Sequence, residues 1–321
     1  MQQSADFPSK VAWTLSDGRA GNVRQAQALA EALGLTPREW VLAARAPWRW
    51  VAPRRLPAAR QAFGADFAGA LAHPPALAIG CGRQAALATR LLHRAGSRVV
   101  QILDPRTAPR HWDLVVAPEH DRLHGANVIA VLGSLNPVDD LWLARARSEH
   151  PAIGQLPRPL TTVLVGGASA HGAFDQASVD ALLDGVAMAQ RRDGGSVLVT
   201  TSRRTPDAAV ARLRTLATAL PGLLWTGPGD GPNPYAGLLG WADRIICTAD
   251  SVNMLSEACA TNVAVFVSGA ERLGGRPRQF VEALLARGRV RAFDEPLSAF
   301  AVTPLRETAR VAAEVRARLG L

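Results

Sequence analysis

The chain has three cysteines, one tyrosine and one lysine, and no run of the ~18 apolar residues that a membrane helix needs. The cysteines, Cys81, Cys247 and Cys259, are odd in number and lack C-x-x-C spacing. They therefore predict neither a disulfide framework nor a zinc site, and point to a reducing compartment. The first residues, Met-Gln-Gln-Ser-Ala-Asp-Phe-Pro, lack a basic region followed by an apolar one. A soluble, cytoplasmic protein is the expectation. The first glycine turn spells Gly18-x-x-Gly21 and not G-x-G-x-x-G, so a dinucleotide fingerprint is missing there. The single tyrosine, Tyr235, is followed four residues later by Leu239 and not by lysine. A nucleotide-sugar epimerase or reductase of that signature is set aside.

What is abundant is arginine. With Lys10 the only lysine, nearly all of the formal charge of +9 is guanidinium. Such a chain favours anionic partners: nucleotide phosphates, nucleic acid or lipid headgroups. Its 321 residues exceed one domain of ~150 and suggest two. The proline-bearing piece Ser148–Pro159 is the best linker, giving domains at 1–150 and 151–302, with 303–321 as a final amphipathic helix.

Short apolar runs recur, each followed by glycine or polar residues and then by helical spacing. Val11 to Leu15 leads through Asp17, Gly18, Gly21 and Asn22 into a helix. Ala76 to Ile79, Val99 to Leu103, Leu114 to Ala117 and Val128 to Leu132 follow the same plan. A second series begins at Thr161 and continues through Ser196 to Thr200, Leu223 to Trp225, Ile245 to Cys247 and Val263 to Val267. Strands without polar alternation suit parallel sheets covered on both faces. The fold class predicted is α/β, two doubly wound Rossmann-like domains.

The chemistry-bearing stretches lie after these runs. Gly166, Gly167, Ser169 and His171 form a loop able to present N–H groups to a diphosphate, although His171 could equally cap a turn. Ser202 and Arg203 end another strand with groups suited to phosphate. In Asp243–Ala258, Asp250 or Ser251 can cap a helix on which Asp250, Met254 and Glu257 share a face. Glu257 could accept from a ribose diol, or simply be a solvated glutamate. Arg276, in a segment with Arg272 and Arg278, could clamp an anion or remain solvated. Trp48 and Trp50, interleaved with arginines, could rest on a membrane interface, stack on bases, or pack on their own domain.

The wording Thr-Ala-Asp-Ser-Val-Asn-Met-Leu-Ser-Glu-Ala-Cys-Ala-Thr from Thr248, followed by Val-Ala-Val-Phe-Val, resembles the plant mitochondrial-fission (elongated-mitochondria) family and its bacterial homologues. It is also similar to the nucleotide-sugar half of GT-B glycosyltransferases. The resemblance implies two domains facing a cleft and metal-independent, cofactor-free transfer of a sugar from a nucleoside diphosphate to a hydroxyl acceptor. Asp17 would then be the catalytic base, or merely steady a tight Asp-Gly turn, and Asn22 could position the acceptor instead. A lipid-linked acceptor and peripheral attachment to the inner membrane face through Trp48 and Trp50 are compatible with it; nucleic acid is not an expected partner. The family also implies an alternative, a non-catalytic nucleotide-binding scaffold or adaptor.

Overall fold

The computed structural model describes residues 10–168, 174–293 and 296–321. The chain divides into two compact units, one made of the described part of Met1–Pro137 with Glu307–Leu321, the other of Val138–Arg306. Each is built on a six-stranded sheet, all neighbours parallel.

In unit 1 the order along the chain is β1 (Val11–Ser16), α1 (Ala20–Ala32), β2 (Thr36–Val41), α2 (Trp48–Val51), α3 (Ala65–Ala70), β3 (Leu77–Cys81), α4 (Arg83–Arg94), β4 (Arg98–Ile102), β5 (Leu114–Pro118) and β6 (Val128–Val131). The spatial order is β2-β1-β3-β4-β5-β6. Strands β3 and β5 are buried along their whole length, as uninterrupted apolar runs require when helices cover both faces. One face packs Leu29, Ala30 and Leu33, from α1 and its end, with Val311, Val315 and Leu319. The other packs Phe67, Leu91, Leu92 and Trp112.

Unit 2 contains α5 (Asp140–Glu149), β7 (Leu160–Val165), α6 (Gln176–Asp193), β8 (Ser196–Thr201), α7 (Asp207–Ala219), β9 (Gly222–Trp225), α8 (Tyr235–Trp241), β10 (Arg244–Thr248), α9 (Val252–Cys259), β11 (Ala264–Ser268), α10 (Gly275–Ala286) and β12 (Val290–Ala292). Their order is β12-β11-β10-β7-β8-β9. The strand order reverses between β7 and β10, and in unit 1 between β1 and β3. These are the switch points outside which open α/β sheets bind ligands. A bidentate pair, Arg306 on Asp140 at 2.7 and 2.6 Å, joins the last residue of unit 2 to the first residue of α5 near its start.

Two strands are absent from the sequence expectation, β2 and β12. β2 is an edge strand carrying Pro37, Arg38 and Glu39 with no fully buried position, and β12 is three residues long at the opposite kind of edge. Neither has the apolar run that betrays a strand. The piece Ser148–Pro159 is also no linker. The end of α5 packs on α8, where Arg147 donates to the Gly240 carbonyl (3.1 Å) and Trp241 to that of His150 (2.9 Å). Ile153 is buried in the following turn. The units accordingly part at Pro137/Val138 and not at 150/151.

The last helix, α11 (Glu307–Leu319), belongs to unit 1. Val311, Val315 and Leu319 recur every four residues, so one stripe enters the core. Placing a charge in that stripe with Val315→Asp should destabilise unit 1 by more than about 4 kcal/mol, read from urea unfolding. Glu→Gln at half-buried Glu314, which pairs with Arg310 and Arg318 on the solvent side of the helix, should change stability by less than ~1 kcal/mol.

Candidate functional site

The unit 2 switch point brings the loop after β7 against the loop after β10. Gly166 N–H donates to the Thr248 hydroxyl and Gly167 N–H to the Asp250 carboxylate, each at 2.7 Å. From the other side the Thr205 hydroxyl donates to the Gly166 carbonyl. Arg204 reaches Asp250 Oδ2 at 3.4 Å and the Ala168 carbonyl at 3.3 Å. The packing leaves no space for side chains: a Cβ on Gly166 would lie 2.1 Å from Asp250 Oδ2, and one on Gly167 2.1 Å from the Arg204 carbonyl.

This geometry corrects two expectations. The amides of Gly166 and Gly167 are satisfied by the protein's own Thr248 and Asp250, so they are not open donors for a diphosphate. Asp250 turns its side chain back to the glycine loop instead of capping α9. Ser251 occupies the cap position and makes no side-chain capping bond. The arginine brought to this point is Arg204; Arg203 is exposed beside it. Ser202 closes its own turn, its hydroxyl 3.2 Å from Thr205 Oγ1 and accepting from Arg204 N. Ser169 and His171 lie outside the described residues.

Seven residues further along α9, Glu257 is 3% exposed, which rules out a solvated glutamate. Its Oε2 accepts from the Tyr235 hydroxyl at the start of α8. A buried carboxyl needs such a donor, and the only tyrosine of the chain supplies it. Met254 is half-buried on the same helix. Burial, then the charges of Asp250, Cys259 and Glu257, push the Cys247 thiol well up, so both carboxyls lie near the end of β10. The helix is anchored from below by Arg289, which is buried and donates to the carbonyls of Ala258, Cys259, Thr261 and Val263. Beside Asp250 a depression is lined by Phe174, Thr248, Ser268, Gly269 and Arg272. Arg272 pairs with Asp175 at 2.8 Å. Arg276 is half-buried in the first turn of α10, not on a flexible loop, and Arg278 pairs with Glu282 one turn on.

In unit 1, Gly18 holds the turn after β1 with φ +76°, a left-handed value that favours glycine. Gly21 and Asn22 fall inside α1 rather than in that turn. Asn22 Nδ2 donates to Asp17 Oδ1 at 2.8 Å, and Arg19 approaches the other oxygen at 3.4 Å. Asn22 thus holds Asp17 as well as facing the end of β3, where Cys81 Sγ lies 3.6 Å from Asn22 Oδ1. The two tryptophans part company. Trp48 is half-buried against the core and donates to the Pro57 carbonyl at 3.3 Å, whereas Trp50 is 64% exposed beneath the Arg49 guanidinium.

Residues 20–319 match the family described as "Mitochondrial fission ELM1". The chain belongs to that family. It is 31% identical over 281 residues to the mitochondrial fission protein ELM1 of Arabidopsis thaliana, covering 76% of this chain and 64% of the plant protein. It therefore spans less than two thirds of that relative's length. It is 23% identical to RP120 of Rickettsia prowazekii, covering 94% of this chain and 96% of that one. Among solved structures, the fold is similar to a UDP-GlcNAc 2-epimerase from Methanocaldococcus jannaschii (TM-score 0.52, 10% identity, 96% and 99% of the two chains). It is also similar to a glycosyltransferase from Rickettsia africae (0.50, 10%, 98% and 99%) and to S. aureus MnaA in a co-structure with UDP (0.50, 10%, 97% of each). The fold of this chain is thus GT-B-like, and at these identities the likeness concerns the fold alone. Because that fold is shared by transferases and epimerases, the missing dinucleotide signature sets aside only epimerases that use it. Among the described residues no helix is long and apolar enough to cross a membrane.

Removing the hydroxyl that faces Glu257 takes a donor from a buried carboxyl. Tyr235→Phe should cost about 1.5–3 kcal/mol in urea unfolding, and Tyr235→Phe combined with Glu257→Leu should cost less than the single change, because the buried carboxyl that lost its hydroxyl donor is gone.

Proposed function

We propose that unit 2 binds a nucleoside diphosphate sugar at its switch point and that the protein transfers the sugar to a hydroxyl acceptor without a metal. The observation that carries this reading is the convergence, at the carboxyl ends of β7 and β10, of the glycine loop, Arg204, Asp250 and the Glu257 helix. The similar MnaA fold is one that holds UDP. On this reading the pyrophosphate takes over the Gly167 amide and Arg204 from Asp250, and the ribose diol takes the place of the Tyr235 hydroxyl on Glu257. Ser202, Arg203 and the depression beside Thr248 and Arg272 complete the donor side, while Asp17, steadied by Asn22, serves as the acceptor's base. A lipid-linked acceptor would meet the interface through Trp50, since Trp48 is committed to the core.

A second reading rests on the same contacts. Occupied glycine amides and a buried, tyrosine-bonded Glu257 also suit a scaffold that keeps the architecture without turnover. Thermal unfolding with UDP, GDP, CDP and their sugars separates the two. A ligand at 100 times its dissociation constant adds about 2.7 kcal/mol of stability. The transferase reading expects such a shift from one nucleotide, its loss in both Glu257→Ala and Glu257→Gln, and its retention in Asp17→Asn, which should abolish transfer while the donor still binds. A shift without transfer of the sugar favours a nucleotide-binding scaffold, and no shift from any nucleotide leaves only a scaffold that does not bind one.

A further inference from the structure

Parallel strands put the carboxyl end of β3 and the start of α4 at one edge of the unit 1 sheet, and the end of α4 and the starts of β4 and β5 at the other. Twelve residues of α4 span roughly 18 Å, so the amino edge is well separated from Asp17 and Asn22. Arginines gather at that amino edge from three separate segments. Arg90 and Arg94 come from the last turns of α4, Arg55 from the loop after α2, and Arg110 from the turn Pro109–His111 that leads towards β5.

The cluster is structured. Arg90 donates to the Pro53 carbonyl at 2.6 Å and lies 5.8 Å from the buried Trp112 ring. The Arg55 Nε is buried and has no hydrogen-bond partner. Burial first, then repulsion by Arg94, lowers the Arg55 pKa; Arg90 is lowered by burial and then by Arg55 and Arg94. His111 is held below its ordinary value by burial and then by Arg90, Arg110, Arg94 and Arg55, so all four guanidinium groups act on one point. The neighbouring carboxylate is committed elsewhere, since Asp113 accepts from Val99 N–H at 2.7 Å and pairs with His93 at 3.5 Å. None of the four arginines forms an ion pair among the described residues.

The C-terminal dipole of α4 favours cations in its last turn and accounts for Arg94. It does not account for Arg55 and Arg110, which arrive on other segments and add repulsion. We propose that this edge of unit 1 is a phosphate-binding site formed by Arg55, Arg90, Arg94 and Arg110. Planar guanidinium forks match phosphate oxygens in pairs, and a dianion would replace mutual repulsion with charge-assisted hydrogen bonds. The ligand is a phosphate monoester or diphosphate, either free or as a lipid headgroup. The site shares no residue with the unit 2 switch point and does not depend on sugar transfer.

Two arms test it on the full chain: calorimetric titration with inorganic pyrophosphate at low salt, and co-sedimentation with phosphatidylcholine vesicles with and without phosphatidic acid. Arg94 and Arg110 are exposed, so Arg94→Gln/Arg110→Gln should fold normally. In that double variant pyrophosphate affinity should fall at least about tenfold, while Arg212→Gln, at an exposed arginine of α7 paired with Asp180, should leave it unchanged. If pyrophosphate is silent but phosphatidic acid vesicles retain the wild type and release the double variant, the headgroup is the ligand and the site stands. Equal behaviour of wild type and double variant, no binding in either arm, or an equal loss of binding in Arg212→Gln would each overturn the assignment.

Discussion

The Asp250 carboxylate is the contact on which unit 2's switch point depends. It is 8% exposed and takes the Gly167 amide and Arg204 on one oxygen, so the loops after β7, β8 and β10 are held by a single side chain. That arrangement explains why glycine stands at 166 and 167: a Cβ at either would strike Asp250 or the Arg204 backbone. The glycines are required by chain packing before any ligand is considered. The same bonds satisfy amides that would otherwise be buried donors without partners, a cost of about 1–3 kcal/mol each.

Helix α9 is built on this foundation and shows a second constraint. Its C-terminal carbonyls, orphaned as at every helix end, are taken by the buried Arg289. The favourable position of a cation at a helix C-terminus offsets the cost of burying it. Burial and the carbonyl contacts fix the helix at its lower end. At its upper end, Ser251 supplies no cap and the first-turn amides of α9 receive no side chain from it. The helix is thus held tightly where it meets the core and more lightly where it meets the loops that a ligand would rearrange.

Much of the fold was legible because parallel strands buried on both faces are written as unbroken apolar runs: β3, β5, β7, β8 and β10 are all wholly buried. What escaped were elements without such runs. β2 is written in proline, arginine and glutamate, and α5 was obscured by the prolines that follow it. Helical spacing placed Met254 and Glu257 on α9 correctly, but spacing says nothing of what a carboxyl touches. Tyr235 and Thr248, the actual partners of Glu257 and Gly166, come from elements brought together only by strand order. A usable signal existed for one of them. A glutamate on an otherwise apolar helix face needs a donor, and the chain's only tyrosine begins the helix just before β10.

Charge reading succeeded in sum and failed in detail. Net positive charge pointed to anionic partners, and the arginines were counted as one population. In the fold they separate by role. Arg289 caps a helix, Arg306 closes unit 2 on Asp140, Arg204 holds Asp250, and Arg272 and Arg278 are paired with Asp175 and Glu282. Once these are removed from the count, an uncompensated group remains at the amino edge of unit 1. Paired arginines contribute little to the field beyond their partners, because opposite charges a few ångströms apart nearly cancel at longer range. Anion attraction therefore follows the unpaired arginines rather than the net charge.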